Sequence, residues 1–111
     1  MGPCTIAEID SARAVPFHVL LRFLGVYSKL DRDYRPGSGG ESVRVHVNHD
    51  GRDFRFVFTA EKWVNELLPP DRLGRGGAGC IDLAAHITDL DFVRSVKLCL
   101  DARRHDVKRA S

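Results

Sequence analysis

Cysteine is scarce and odd in number: Cys4, Cys80 and Cys99 are widely spaced and form no CxxC pair. That pattern argues against a disulfide framework of the small secreted kind and predicts free thiols in a reducing compartment, the cytoplasm. Long apolar runs are also missing. The best candidate is interrupted by His18 and Arg22, well short of the ~18 apolar residues a membrane helix needs. Residues 1–15 contain no basic segment followed by an apolar one, so no secretory leader is expected. Only four glutamates occur, and lysine is outnumbered by arginine, 4 to 13. Paired catalytic carboxylates are therefore scarce, and the arginine excess matches GC-rich coding, which suggests a bacterial or phage source. The net charge of +2 is too small to make the whole chain a polycation. Nucleic-acid binding would need local clustering of the basic residues.

What remains is the composition of an ordinary globular domain, 43% hydrophobic and 29% charged. Residues 1–111 are expected to form a single domain with a frayed tail at 105–111, and a chain of this size hides roughly two-thirds of its unfolded surface. The most apolar stretch is 16–30, PFHVLLRFLGVYSKL. At 3.6 residues per turn His18, Arg22, Gly25 and Lys29 fall on one narrow stripe, and apolar side chains occupy the remaining circumference. Such a helix needs covering on nearly every side, by a core or by a partner. Before it, residues 3–9 read as a short strand; after it, the run from Arg35 to Gly40 is a flexible connection.

From Glu41 the period changes to two. Val43, Val45 and Val47 share one parity, Asp50-Gly51 supplies a turn, and Phe54, Phe56 and Phe58 alternate with Arg55 and Val57. This is a β-hairpin with three valines opposite three phenylalanines. Thr59 then reads as the N-cap of a helix over 60–68, ended by Pro69-Pro70. Residues 80–87 fit a strand and a helix equally well and are assigned as a strand, because Thr88 and Asp89 read as the cap of a final helix over 89–104. The resulting class is α+β, a ferredoxin-like βαββαβ sheet with an additional C-terminal helix. The alternative is a β-hairpin packed on three or four helices.

Each candidate site has a plainer explanation beside it. Gly74, Gly76 and Gly79 spell GxGxxG, but residues 68–73 are not a strand and no lysine follows for a P-loop. A glycine connection is the simpler reading, with Arg72 and Arg75 available to an anionic partner. Residues 52–57 share the aromatic spacing of RNA-recognition modules, yet parity assigns Phe54, Phe56 and Phe58 to the core rather than to base stacking. Arg44, His46, Arg52 and Arg55 fall on the opposite face and its turn, where they could contact phosphates or an acidic partner. On an extended strand Cys80 and His86 would lie about 20 Å apart, too far to share a metal ion or to form a nucleophile pair. Catalytic, cofactor and metal residues are therefore all assigned as none. The leading expectation is a small non-enzymatic regulator or inhibitor that works through protein–protein contacts, as a homodimer. The alternatives are a nucleic-acid-binding module using the arginine-rich hairpin face and a nucleotide- or small-molecule-binding enzyme subunit using the glycine loop.

Overall fold

The computed structural model describes residues 4–35 and 41–110, with side chains through residue 108. The glycine connection over 36–40 lies outside the described residues. Within them the chain is α+β: a five-stranded antiparallel sheet and four helices, the last of them C-terminal. Its contacts divide into two units, a helical one drawn from the segments up to Gly25 and from Gly79 onward, and a sheet formed by Val26–Ala78.

In the helical unit, α1 spans Ile6–Arg13 where a strand was expected over 3–9. The reason is a reciprocal cap. The Glu8 N–H donates to Thr5 Oγ1 at 3.1 Å and the Thr5 N–H donates to Glu8 Oε1 at 2.9 Å, so two helix-end donors are satisfied at once. These bonds hold the Glu8 carboxyl below its ordinary pKa.

α2 spans only Phe17–Leu24, which shortens the helix expected over 16–30. Gly25 ends it in the left-handed conformation, φ +68°, with its N–H donating to the Arg22 carbonyl. A glycine there terminates a helix at little steric cost, so the apolar residues beyond it enter a strand instead.

α3 spans Gly79–Thr88 and corrects the strand assigned to 80–87. Cys80, Leu83, Ala84 and Ile87 are all fully buried, which is helical spacing rather than alternation. A Cβ on Gly79 would stand 2.6 Å from Arg13 Cγ, so the start of α3 lies tightly against the end of α1. Asp89, expected to cap the last helix, instead takes φ +61° just after α3. The cap is Asp91, whose Oδ1 accepts from the Arg94 N–H at 2.8 Å.

α4 spans Phe92–Ala110 and is the common partner of the other three helices, burying Val96, Cys99 and Ala102. It includes residues expected to fray. His105 meets Phe23 at 5.5 Å between ring centroids, and Asp106 pairs with Arg22 at 3.6 Å.

In the sheet unit the strands are consecutive neighbours: β1 Tyr27–Asp31, β2 Val43–His49, β3 Arg52–Thr59, β4 Lys62–Asn65 and β5 Gly76–Ala78. The interleaved βαββαβ order is therefore replaced by a meander that follows two helices and precedes two more. The expected hairpin is present in the expected register, with Val43 opposite Phe58, Val45 opposite Phe56 and Val47 opposite Phe54. Asp50 and Gly51 both have positive φ, +54° and +79°, as a two-residue hairpin turn of the I′ kind requires.

The helix expected over 60–68 is β4. A turn with Ala60 at φ +54° brings Trp63 opposite Phe58 and Val64 opposite Val57. A helix of nine residues is marginal without packing, whereas a fourth strand gains a ladder at once. Phe56 is the centre of the aromatic row, stacked on Phe54 and Phe58 with centroids at 5.4 and 5.6 Å and meeting Trp63 edge-on at 5.8 Å.

Two substitutions test this account. Phe56→Ala should destabilise the protein by about 3 to 5 kcal/mol, because it opens a cavity at a site with no solvent exposure. Ala60→Gly should stabilise it by up to ~1 kcal/mol, because glycine carries no Cβ penalty at positive φ. Chemical denaturation followed by circular dichroism reads both.

Candidate functional site

Strand alternation sends Arg44 and His46 of β2 and Arg55 of β3 to the face opposite the phenylalanines. Register then supplies their partners. Asp31 of β1 lies opposite Arg44, and Glu66, one residue past β4, donates its N–H to the Arg55 carbonyl at 2.7 Å. Arg44 grips Glu66 in a fork, Nε to Oε1 at 2.7 Å and Nη2 to Oε2 at 3.4 Å, while its Nη1 reaches Asp31 Oδ2 at 3.5 Å. Its guanidinium lies 4.3 Å from the centroid of the Tyr34 ring. Arg55 Nε stands 3.3 Å from Glu66 Oε1, and His46 Nε2 stands 3.3 Å from Asp31 Oδ2. The result is a chain of polar contacts, His46, Asp31, Arg44, Glu66, Arg55, in which both arginines face a carboxylate.

The side chains of Arg44, Asp31 and Glu66 keep only 26%, 20% and 23% of their exposure, so bulk water screens them less than an ordinary surface pair. The bond to His46 first, then those to the Asp33 N–H and to Arg44, lower the Asp31 pKa against the opposing effect of desolvation. The bond to Glu66 raises that of Arg44. Beside this network an open depression of about 550 Å³ is lined by Lys29, Asp31, Asp33 and His46 among others. Among the described residues, no three histidine, cysteine or acidic side chains stand close enough together to hold a metal ion.

The structure thus gathers Arg44, His46 and Arg55. Arg52 sits apart at the start of β3, with its guanidinium 5.2 Å from the Phe54 ring. Arg72 and Arg75 belong to the connection before β5. Arg72 is exposed, and Arg75 Nε donates to the Leu68 carbonyl at 3.0 Å, tying that connection down.

The glycine string is divided between elements, with Gly76 in β5 and Gly79 opening α3. A Cβ on Gly76 would stand 2.7 Å from the Trp63 carbonyl oxygen, so close strand packing explains that glycine.

Sequence reasoning missed Asp31, Glu66, Tyr34 and Asn65. Asn65 is buried, and its Oδ1 accepts from the Arg55 and Leu67 N–H groups at 3.2 Å each. The second of these closes an Asx turn, whose signal was an asparagine two residues before Leu67 in a segment ending at prolines.

No family model, curated protein or solved structure matches this chain. Among the described residues no helix is long and apolar enough to cross a membrane.

The lowered pKa of Asp31 has a definite sign. Its ionised form is favoured by folding, so its contribution is fully present above the ordinary carboxylate pKa and is lost as the pH falls through the lowered one. Asp31→Asn should therefore melt below wild type at pH 7. The gap between the two should close in acid, which differential scanning calorimetry across a pH series can follow.

Proposed function

We propose that this protein is a small non-enzymatic regulator or inhibitor that acts in the cytoplasm by protein–protein contact, and that it pairs with a second copy of itself along β1. One observation carries the reading. On the apolar face, the paired row Leu30, Val45, Phe56 and Asn65 runs from 50% exposed at Leu30 to 0% at Phe56 and 3% at Asn65. The sheet is therefore buried along β3 and β4 and uncovered towards β1, where Leu30, Val43 and, on the other face, Tyr27 are exposed.

Among the described residues β1 is an edge strand, with one row of its backbone N–H and C=O groups facing no other strand. Such an edge accepts another strand, main-chain hydrogen bonds giving affinity and alternate side chains giving selectivity. An antiparallel pairing centred on Leu30 sets Lys29 of each copy opposite Asp31 of the other and brings the two leucines together. Opposite charges across a strand pair favour that register. The phosphate-binding alternative is less favoured, because Arg44 and Arg55 already face Glu66.

Sedimentation equilibrium at tens of micromolar tests the reading. Wild type should be dimeric and Leu30→Arg monomeric, with the circular dichroism of the folded chain retained because the site is half exposed in the single chain. A monomeric wild type would remove the self-pairing. Retention of mixed-sequence DNA or RNA at low salt, lost in Arg52→Ala with Arg72→Ala, would replace protein contact with nucleic-acid binding.

A further inference from the structure

Two of the three cysteines are neighbours in space. Cys80 lies in the first turn of α3 and Cys99 in the middle of α4, and the Cys99 thiol donates to Cys80 Sγ across 3.3 Å. Both are free thiols with no solvent exposure. Cys4, the third, is only partly buried.

We infer that Cys80 and Cys99 form an oxidisable dithiol, a modification site at which a peroxide converts the α3–α4 contact into a covalent crosslink. A disulfide places its sulfurs about 2.05 Å apart. The two atoms therefore need to approach by little more than 1 Å, and both sit on helices that already pack together.

The chemistry balances with a hydroperoxide as the oxidant. One thiol, as its thiolate, attacks the peroxide oxygen; the O–O bond breaks, an alcohol or water leaves, and the sulfur becomes a sulfenic acid. The second sulfur then attacks that sulfenic sulfur, forming the S–S bond and releasing water. Overall the dithiol loses two electrons and two protons to the peroxide.

Access sets the pace. The hydrogen bond from Cys99 and burial both push the Cys80 thiol above its ordinary pKa, and the thiolate is the reactive form. Reaction therefore waits on local opening of α3 from α4, and a brief oxidant pulse spares the pair. Sustained oxidative conditions close it.

The test uses the full chain carrying Cys4→Ser, so that only this pair can react. The protein is equilibrated with hydrogen peroxide in native buffer, quenched, denatured and treated with N-ethylmaleimide. The expected product takes up no maleimide, is lighter than the reduced chain by about 2 Da, runs as a monomer on a non-reducing gel, and gives a Cys80–Cys99 linked peptide. Its urea midpoint should be higher than that of the reduced form.

Equilibration with glutathione buffers, in native buffer and again in denaturant, measures how strongly the fold favours the bond. The effective concentration of the pair should be at least tenfold greater in native buffer. An equal or smaller value would overturn the inference, as would two maleimides retained after prolonged oxidation or a product bearing sulfinic acid at Cys80. Cys99→Ser in the same background must lose the crosslink while keeping its helical circular dichroism. If that variant does not fold, the native-to-denatured ratio of the Cys4→Ser protein decides alone.

Discussion

The valine and phenylalanine register of the β2–β3 hairpin is the constraint on which the sheet depends. Three residue pairs, Val43 with Phe58, Val45 with Phe56 and Val47 with Phe54, set which face is apolar. A slip of one residue would turn every side chain to the other face, so burial of the phenylalanines also specifies where the charges go. β1 and β4 then pair on either side of an already oriented template. The central position of Phe56 in the aromatic row and the outward position of Arg55 are two results of one alternation.

The polar face shows how register does electrostatic work. Asp31 and Glu66 are distant from Arg44 in sequence and reach it only because β1 and the end of β4 are placed on its two sides. Neither ion pair exists until the sheet is assembled, so the network reinforces strand order as well as joining charges. It also leaves Arg44 and Arg55 facing carboxylates, which lessens the pull of this face on phosphate. At the margin of β1, by contrast, apolar residues meet water.

The β2–β3 hairpin was legible in the residues and the other three strands were not, for physical reasons that differ by segment. The hairpin could be read because alternation and Asp50-Gly51 act over a few residues. The Thr5 and Glu8 cap is equally local, yet residues 3–9 read as a short strand. In residues 16–30 Gly25 counted as one more polar position on a stripe, when its backbone freedom ends the helix. Residues 80–87 satisfied both periodicities, and what selects the helix is burial against α4, which no local pattern contains. For the candidate site, Arg44, His46 and Arg55 were visible by parity. Their carboxylate partners were not, because Asp31 follows directly on the expected helix over 16–30 and Glu66 lies inside the one expected over 60–68.

The left-handed glycines Gly25 and Gly79 mark the two ends of the sheet segment, and this connectivity bears on the order of folding. The meander pairs each strand with the next, so its contacts close short loops and form early. In the helical unit only α3 and α4 are neighbours both in sequence and in packing. α1 and α2 pack on α3 and α4, beyond the entire sheet in sequence, and must close a much longer loop to reach them. During synthesis α1 and α2 therefore emerge well before the helices they pack on, α3 and α4. The sheet, whose strands are all neighbours in sequence, needs no such wait.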